Sequence, residues 1–363
     1  MTLNHLSITN FKNIEASELD FSANLNCIVG DNGAGKTNLL DAIYYLSMAK
    51  SCFGGSDNLH IRHNEPFFLL QGRYQRNGDE TVISCGMQRG EGKVLKRDGK
   101  TYDRLSDHLG FIPLVIISPA DNELINEAGE ERRKYLNTLL VQIDREYLHA
   151  LTRYNHLLAQ RNKLLKTPAG AGSDLLHAFD EQLAPPAQLI YARRKALITG
   201  LQPFFTALYK TLSENKEQVT LVYRSALDDA PLGELLRANA ERDRIMQHTT
   251  VGIHRDDIAM QLGGYALRRI GSQGQQKTFL IALKLAQYEY LKQYNGCQPL
   301  LLLDDIFDKL DERRVEQLIT LVAHETFGQI FLTDSNKIRL NHIVAELTQE
   351  YCIFHTNAGS FSF

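Results

Sequence analysis

The 363-residue sequence lacks paired cysteines: Cys27, Cys52, Cys85, Cys297 and Cys352 form an odd, scattered set with no C-x-x-C spacing. That pattern argues against a disulfide framework or a cysteine zinc site and fits a reducing cytosol. No run of about 18 apolar residues occurs, the length that a transmembrane helix needs; the greasiest stretches, FIPLVIIS and LLLL, are strand-length. No membrane association is expected. The opening MTLNHLSITNFKN has no basic segment followed by a long apolar one, so secretion is not expected and a cytoplasmic location is. Strong net charge is missing as well, since 40 Lys and Arg stand against 43 Asp and Glu. No global basic field points to nucleic acid, and such a surface has to be a local patch. Repeats and low-complexity tracts are absent, and 43% hydrophobic with 23% charged residues is a globular composition, long enough for roughly two or three domains.

What the sequence does contain begins with strand-length apolar runs from Leu3 to Ile14 and from Leu25 to Val29, the second stopping at GDNGAGKT. Helical spacing of Leu39, Leu40, Ile43, Tyr44 and Leu46 follows, so the order is strand, Gly-rich loop, helix. PFFLLQGRY, RNGDETVISCGM and KVLKRDGKTY then read as a small antiparallel meander. From Glu123 to Gln247 helical patterns dominate, with Leu148, Leu151, Tyr154, Leu158 and Leu165 at three- and four-residue spacing and a loop at 166–173. After Thr250 strands and helices alternate again. The pattern predicts an α/β lobe, a mixed sheet with flanking helices, built from 1–120 and 250–363, interrupted by a helical insertion lobe over 121–249.

Gly30 to Thr37 satisfy every fixed position of G-x-x-x-x-G-K-[ST]. Small residues let backbone N–H groups close on phosphates, Lys36 neutralises the β/γ oxygens, and the Thr37 hydroxyl suits Mg²⁺. LLLLDD, 300–305, reads as a buried parallel strand that ends in two carboxylates. Asp304 is placed for the metal and Asp305 to polarise a water. The polar loop IGSQGQQ, 270–276, precedes a helix whose free N–H groups suit a phosphate or serve as a plain cap. HRDD, 254–257, is similar to a kinase catalytic loop, but Gln261 stands where asparagine is required. Polar residues of a strand-end turn are the simpler reading. Between Arg132 and Lys166 eight basic residues face only Asp144 and Glu146, either a solvated face or a DNA patch in which Arg153, Arg161 and Lys163 project from the leucine stripe.

GDNGAGKT, GSQGQQ and LLLLDDIFDKLD, in that order around a helical insertion, resemble the ABC-type ATPases of the SMC group. NFKNI, ISPAD, GEERRKYLN, HRDD and GSQGQQKTFLIALKLAQ narrow the resemblance to the RecF family of recombination mediators, over nearly the whole chain. The resemblance implies a weak, DNA-stimulated ATPase whose ATP-sandwiched homodimer binds duplex or gapped DNA. With RecO and RecR it would help load RecA. It implies ATP at Gly30, Asp31, Asn32, Gly33, Ala34, Gly35, Lys36, Thr37 and Asn38, and magnesium at Thr37 and Asp304. Asp305 and Lys36 would be catalytic, Ser272, Gly274 and Gln275 would act in trans as the signature loop, and Asp311 would face the dimer. The alternative is a nucleotide-binding subunit of an ABC transporter, which usually carries a switch histidine after the strand corresponding to QIFLTD; Thr333 or Asp334 stands there.

Overall fold

The computed structural model describes residues 1–167, 173–214, 217–307, 314–315, 317–318, 320, 327–336 and 350–362. Two compact units emerge: Met1–Asp121 with Thr211–Glu214 and Gln273–Phe363, and Asn122–Lys210 with Asn215–Ser272. The first carries β1 (Thr2–Phe11), β2 (Ile14–Asp20), β3 (Leu25–Val29), α1 (Lys36–Met48), β4 (Phe67–Arg76), β5 (Asp79–Gln88), β6 (Lys93–Arg97), β7 (Lys100–Thr101) and β8 (Leu114–Ile117). In the second unit follow α2 (Glu123–Asn126), α3 (Gly129–Leu140), α4 (Arg145–Leu165), α5 (Ser173–Ser213, its last residues in the first unit), β9 (Val219–Arg224), α6 (Leu232–Ala238), α7 (Ala240–Met246), β10 (Asp257–Leu262), β11 (Tyr265–Ala266) and α8 (Leu267–Ile270). The chain then returns to the first unit with α9 (Gln273–Asn295), β12 (Leu300–Asp304), β13 (Ile330–Asp334), β14 (Tyr351–Asn357) and β15 (Ser360–Ser362).

One sheet of the first unit is antiparallel, in the order β2-β1-β4-β5-β6-β7. The other runs β15-β14-β3-β13-β12-β8, with every pair parallel except the β14–β15 hairpin. All five residues of β3, of β12 and of β13 are buried, which explains their continuous apolar runs in place of alternation. Helix α1 touches strands of both sheets and is buried nearly all round, so its apolar positions exceed one stripe. Phe11, Tyr45 and Phe68 meet edge-to-face there, with centroids 5.2 to 5.8 Å apart.

The second unit departs from the sequence-based boundaries. VTLVYR forms β9 within the helical stretch and pairs with β10 along six residues, which draws 250–272 into this unit rather than the ATPase lobe. The stripe expected on α4 is also partly out of phase: Tyr154 and Leu165 are buried as expected, the other leucines of the stripe are not. Its buried face is Tyr147, Ala150, Tyr154, Leu157, Arg161 and Leu165, while Leu148, Leu151 and Leu158 lie at its margin. Most of the 166–173 loop lies outside the described residues.

HRDD forms a latch at the start of β10, not a catalytic loop. His254 Nδ1 accepts from the Tyr154 hydroxyl at 2.8 Å and its Nε2–H donates to the Thr249 carbonyl at 3.0 Å. Asp256 accepts from Arg194 at 3.3 Å and from the Tyr223 hydroxyl, and Asp257 accepts from Arg132 at 2.5 Å. Burial pushes His254, and likewise His108 in the first unit, down to about 4. An unfolded histidine takes up its proton near pH 6.5. Between pH 6.5 and 4 the unfolded state therefore binds more protons, and stability falls as pH is lowered. The expected loss at pH 5 is roughly 2 kcal/mol for each of the two. Denaturant titrations at pH 7 and pH 5 check this: His254→Gln must show a shallower pH dependence than the wild type, and an equal slope removes His254 from the account.

Candidate nucleotide site

Open α/β sheets bind ligands beyond the carboxyl ends of their strands, and here the sequence motifs converge at that edge. The Gly-rich loop leaves β3, Asp304 ends β12, and β13 lies between these two strands. Gly33 and Gly35 take φ of 82° and 114°, conformations that glycine adopts without steric penalty. They turn the loop into the N-terminus of α1, where unbonded N–H groups and the helix dipole favour an anion. Lys36 is 4% exposed. Its ammonium donates to the Gly30 carbonyl at 2.8 Å and the Asp31 carbonyl at 3.1 Å, folded back over the loop that it would serve.

The Thr37 hydroxyl lies 3.0 Å from both carboxylate oxygens of Asp304. Asp304 is buried, and burial raises its pKa against the opposing hydrogen bonds from Thr333 and Thr37. A hydroxyl beside a desolvated carboxylate is the hard oxygen pair that Mg²⁺ takes, and its charge would reverse the cost of that burial. The donor set therefore fits the ion. Asp305 stands next to it, half-buried, with φ of 44°. This left-handed backbone is anchored by its N–H donating to Thr333 Oγ1 at 3.0 Å, while Thr333 Oγ1 donates to Asp304 Oδ1 at 2.8 Å. Thr333 thus ties both carboxylate residues from the adjacent strand β13. The structure brings Lys36, Thr37, Asp304 and Asp305 together; the role of Thr333 was not assigned from sequence, although its position one residue from the end of β13 marked it.

Ser272 is exposed and ends the second unit; Gly274 and Gln275 fall in the first turn of α9 rather than in a loop before it. Asp311 lies outside the described residues. Of the expected DNA contacts, Arg153 and Lys163 are exposed on α4. Arg161 corrects the reading. It is 1% exposed and donates to Asp180 at 2.7 Å, Asp243 at 2.7 Å and Thr249 at 2.8 Å. A buried charge needs such partners, and Arg161 is consumed by them inside the helical unit. Its place on the buried phase of α4 was the available signal. Arg132 and Arg133 likewise bond inward, to Asp257 and to the Asp256 carbonyl. Arg145, Arg153, Lys163 and Lys166 are exposed along α4, with His149 and His156 among them. Lys93, on β6, is likewise tied, to Tyr45, Ala49 and Asp57.

The family profile described as RecF/RecN/SMC N terminal domain matches residues 2–357. The DNA replication and repair protein RecF of Bacteroides fragilis (strain YCH46) is 47% identical over 363 residues, covering all of this chain and 98% of its own. That of Flavobacterium johnsoniae is 45% identical, covering 98% of this chain and all of its own. Among solved structures, the recombination mediator protein RecF-ATPrS of the RecFOR pathway is similar with a TM-score of 0.89 at 31% identity, over 99% of this chain and 97% of that one. An Smc head domain from Pyrococcus furiosus shares the fold alone, with a TM-score of 0.58 at 15% identity over 99% and 95% of the two chains.

Proposed function

The chain belongs to the RecF/RecN/SMC N-terminal-domain family, in its RecF branch, and on that premise we propose that it is an ATPase that dimerises around ATP and holds DNA in that state during recombinational repair and replication restart. The observation that carries the reading is the meeting of Lys36 and Thr37, at the start of α1, with Asp304 at the end of β12, 3.0 Å from the Thr37 hydroxyl. RecO and RecR enter as partners from the RecFOR pathway named for the solved relative, and help in loading RecA is part of the proposal. The relatives are repair proteins, so the transporter-subunit reading is not favoured; no described helix is long and apolar enough to cross a membrane, and a cytoplasmic setting suits the proposed role.

In this reading the loop amides from Gly30 to Asn38 and the Lys36 ammonium bind the triphosphate and spread its charge over fixed donors. Thr37 and Asp304 would hold magnesium, which supplies neutralisation of the β- and γ-phosphate oxygens. Asp305 orients the attacking water and accepts its proton. Ser272, Gly274 and Gln275 would complete the site of a second copy, so ATP would act as the glue of the dimer and hydrolysis as its release. The DNA surface on this chain includes Arg153 and Lys163 on α4. These side chains reach phosphates, so recognition follows duplex shape more than base sequence.

The test is ATP-dependent dimerisation followed by sedimentation, with and without gapped duplex, and DNA affinity measured over a range of salt. The double substitution Arg153→Ala/Lys163→Ala should flatten the log–log salt slope by about 0.9 for each phosphate that is no longer neutralised. It should weaken all sequences alike while leaving ATP binding intact. An unchanged slope would place the DNA elsewhere, and a chain that stays monomeric with ATP and DNA would reject the clamp.

A further inference from the structure

The P-loop glycines are usually explained by the phosphates that they cradle; here two of them also accommodate neighbouring backbone and side chains from distant parts of the chain. A Cβ on Gly30 would stand 2.5 Å from the Thr356 carbonyl oxygen and 2.7 Å from its methyl. One on Gly35 would meet the Asn13 amide at 3.1 to 3.2 Å and Gly359 Cα at 3.4 Å. Thr356 lies near the end of β14, and Gly359 lies in the tight turn to β15. The two turn residues, Ala358 and Gly359, have φ of 48° and 84°, and positive φ at both positions belongs to the type I′ hairpin. That turn aims its amide at the loop: Gly359 N–H donates to the Ala34 carbonyl at 2.8 Å, and the Thr356 hydroxyl donates to the same oxygen at 3.0 Å. Beside that turn lies Asn13, between β1 and β2. Its Oδ1 accepts from Asn38 at 2.8 Å, and its Nδ2 lies 3.5 Å from the Gly33 carbonyl. A Cβ on Gly359 would collide with the Asn13 carbonyl, so hairpin and turn interlock.

We propose that the β14–β15 hairpin and Asn13 brace the P-loop in its phosphate-accepting shape, with Thr356 and Asn13 as positioning residues for the nucleotide. The proposal rests on the nucleotide reading above. The physical need is plain: a loop that converges several N–H dipoles on one point, with two residues at positive φ, loses much of its reason to hold that shape when no anion is bound. Peptide carbonyls turned outward by the same geometry require donors, and at Ala34 the hairpin supplies two. Close packing at Gly30 and Gly35 accompanies these bonds, beside a cavity of about 400 Å³ lined by Gly30, Asp31, His355, Asn357, Phe361 and their neighbours. The loop is held by discrete hydrogen bonds and by this contact, and preorganising a site raises affinity by reducing the ordering cost of binding.

The experiment measures affinity for the slowly hydrolysed analogue ATPγS, and ATP turnover, in the full chain and in Thr356→Val, Thr356→Ser, Asn13→Ala and Lys36→Ala. Thr356→Val keeps the shape of the side chain and removes only its hydroxyl. Loss of one net hydrogen bond predicts a Kd raised about two- to tenfold. KM should rise with it while kcat changes little, Thr356→Ser should restore binding, and the melting temperature without nucleotide should stay near wild type. Asn13→Ala should behave like Thr356→Val. ATPγS affinity in Thr356→Val equal to wild type, or a serine variant as impaired as the valine, overturns the brace while Lys36→Ala still reports a working nucleotide site. A wild type that fails to bind ATPγS, indistinguishable from Lys36→Ala, overturns the nucleotide reading and the brace with it.

Discussion

Lys36→Ala is expected to lose at least about a hundredfold in ATP affinity and all measurable turnover. The ammonium now donates to the carbonyls of Gly30 and Asp31 at 2.8 and 3.1 Å and is almost fully enclosed. A triphosphate entering the loop offers it stronger, charged acceptors, each charge-assisted bond contributing about 1.5–3 kcal/mol. Removing two such bonds amounts to about 3 kcal/mol or more, and every 1.4 kcal/mol is a factor of ten. Alanine also leaves two backbone carbonyls without a donor beside the bound anion. Titration with a fluorescent ATP analogue decides the matter: near-wild-type affinity in the variant would remove the P-loop from nucleotide binding.

The second large effect is expected for Asp305→Asn, with single-turnover hydrolysis slowed about 10²- to 10⁴-fold, the usual contribution of a positioned base, and ATP binding retained. The substitution is unusually clean here. Asp305 sits at φ of 44°, a backbone region in which asparagine and aspartate are the favoured non-glycine residues. Its N–H to Thr333 is untouched by the change, so the geometry survives while the basicity goes. The variant should accumulate as an ATP-bound dimer that retains DNA. Hydrolysis at the wild-type rate in a single turnover would transfer the base role away from Asp305.

The parts of this site that could be read in sequence are those in which chemistry is written in consecutive residues. GDNGAGKT carries its own glycines, cation and hydroxyl, and LLLLDD carries both a buried strand and its carboxylates; each is local, and each was placed correctly at a strand end. Thr356, Gly359 and Asn13 escaped because their partners lie across the fold: the bond from Thr356 to Ala34 spans 322 residues, and no spacing rule reaches that far. Arg161 was misread for a different reason. Charge was counted along the chain, whereas exposure is set by helix phase, and a stripe drawn through Leu148, Leu151 and Leu158 passed by Tyr147, Leu157 and Arg161, which share the buried face with Tyr154 and Leu165. VTLVYR was hidden by its setting, since a six-residue strand surrounded by helices looks like a helix end until its partner β10 is known.

The sheet order also governs how the chain emerges from the ribosome. β3 is made among the first thirty residues, yet both its neighbours, β13 and β14, lie beyond residue 329. At about 5–20 residues per second, the Walker A strand waits roughly 15–60 s with both edges unpaired. The second unit, drawn almost wholly from 122–272, can complete itself within that interval. A strand that is apolar but for Asn26, with its edges open, is a template for wrong pairing, so the nascent chain passes through a period when its future nucleotide site is exposed to it. That exposure is a consequence of placing the P-loop strand inside a sheet that strands made about 300 residues later must close.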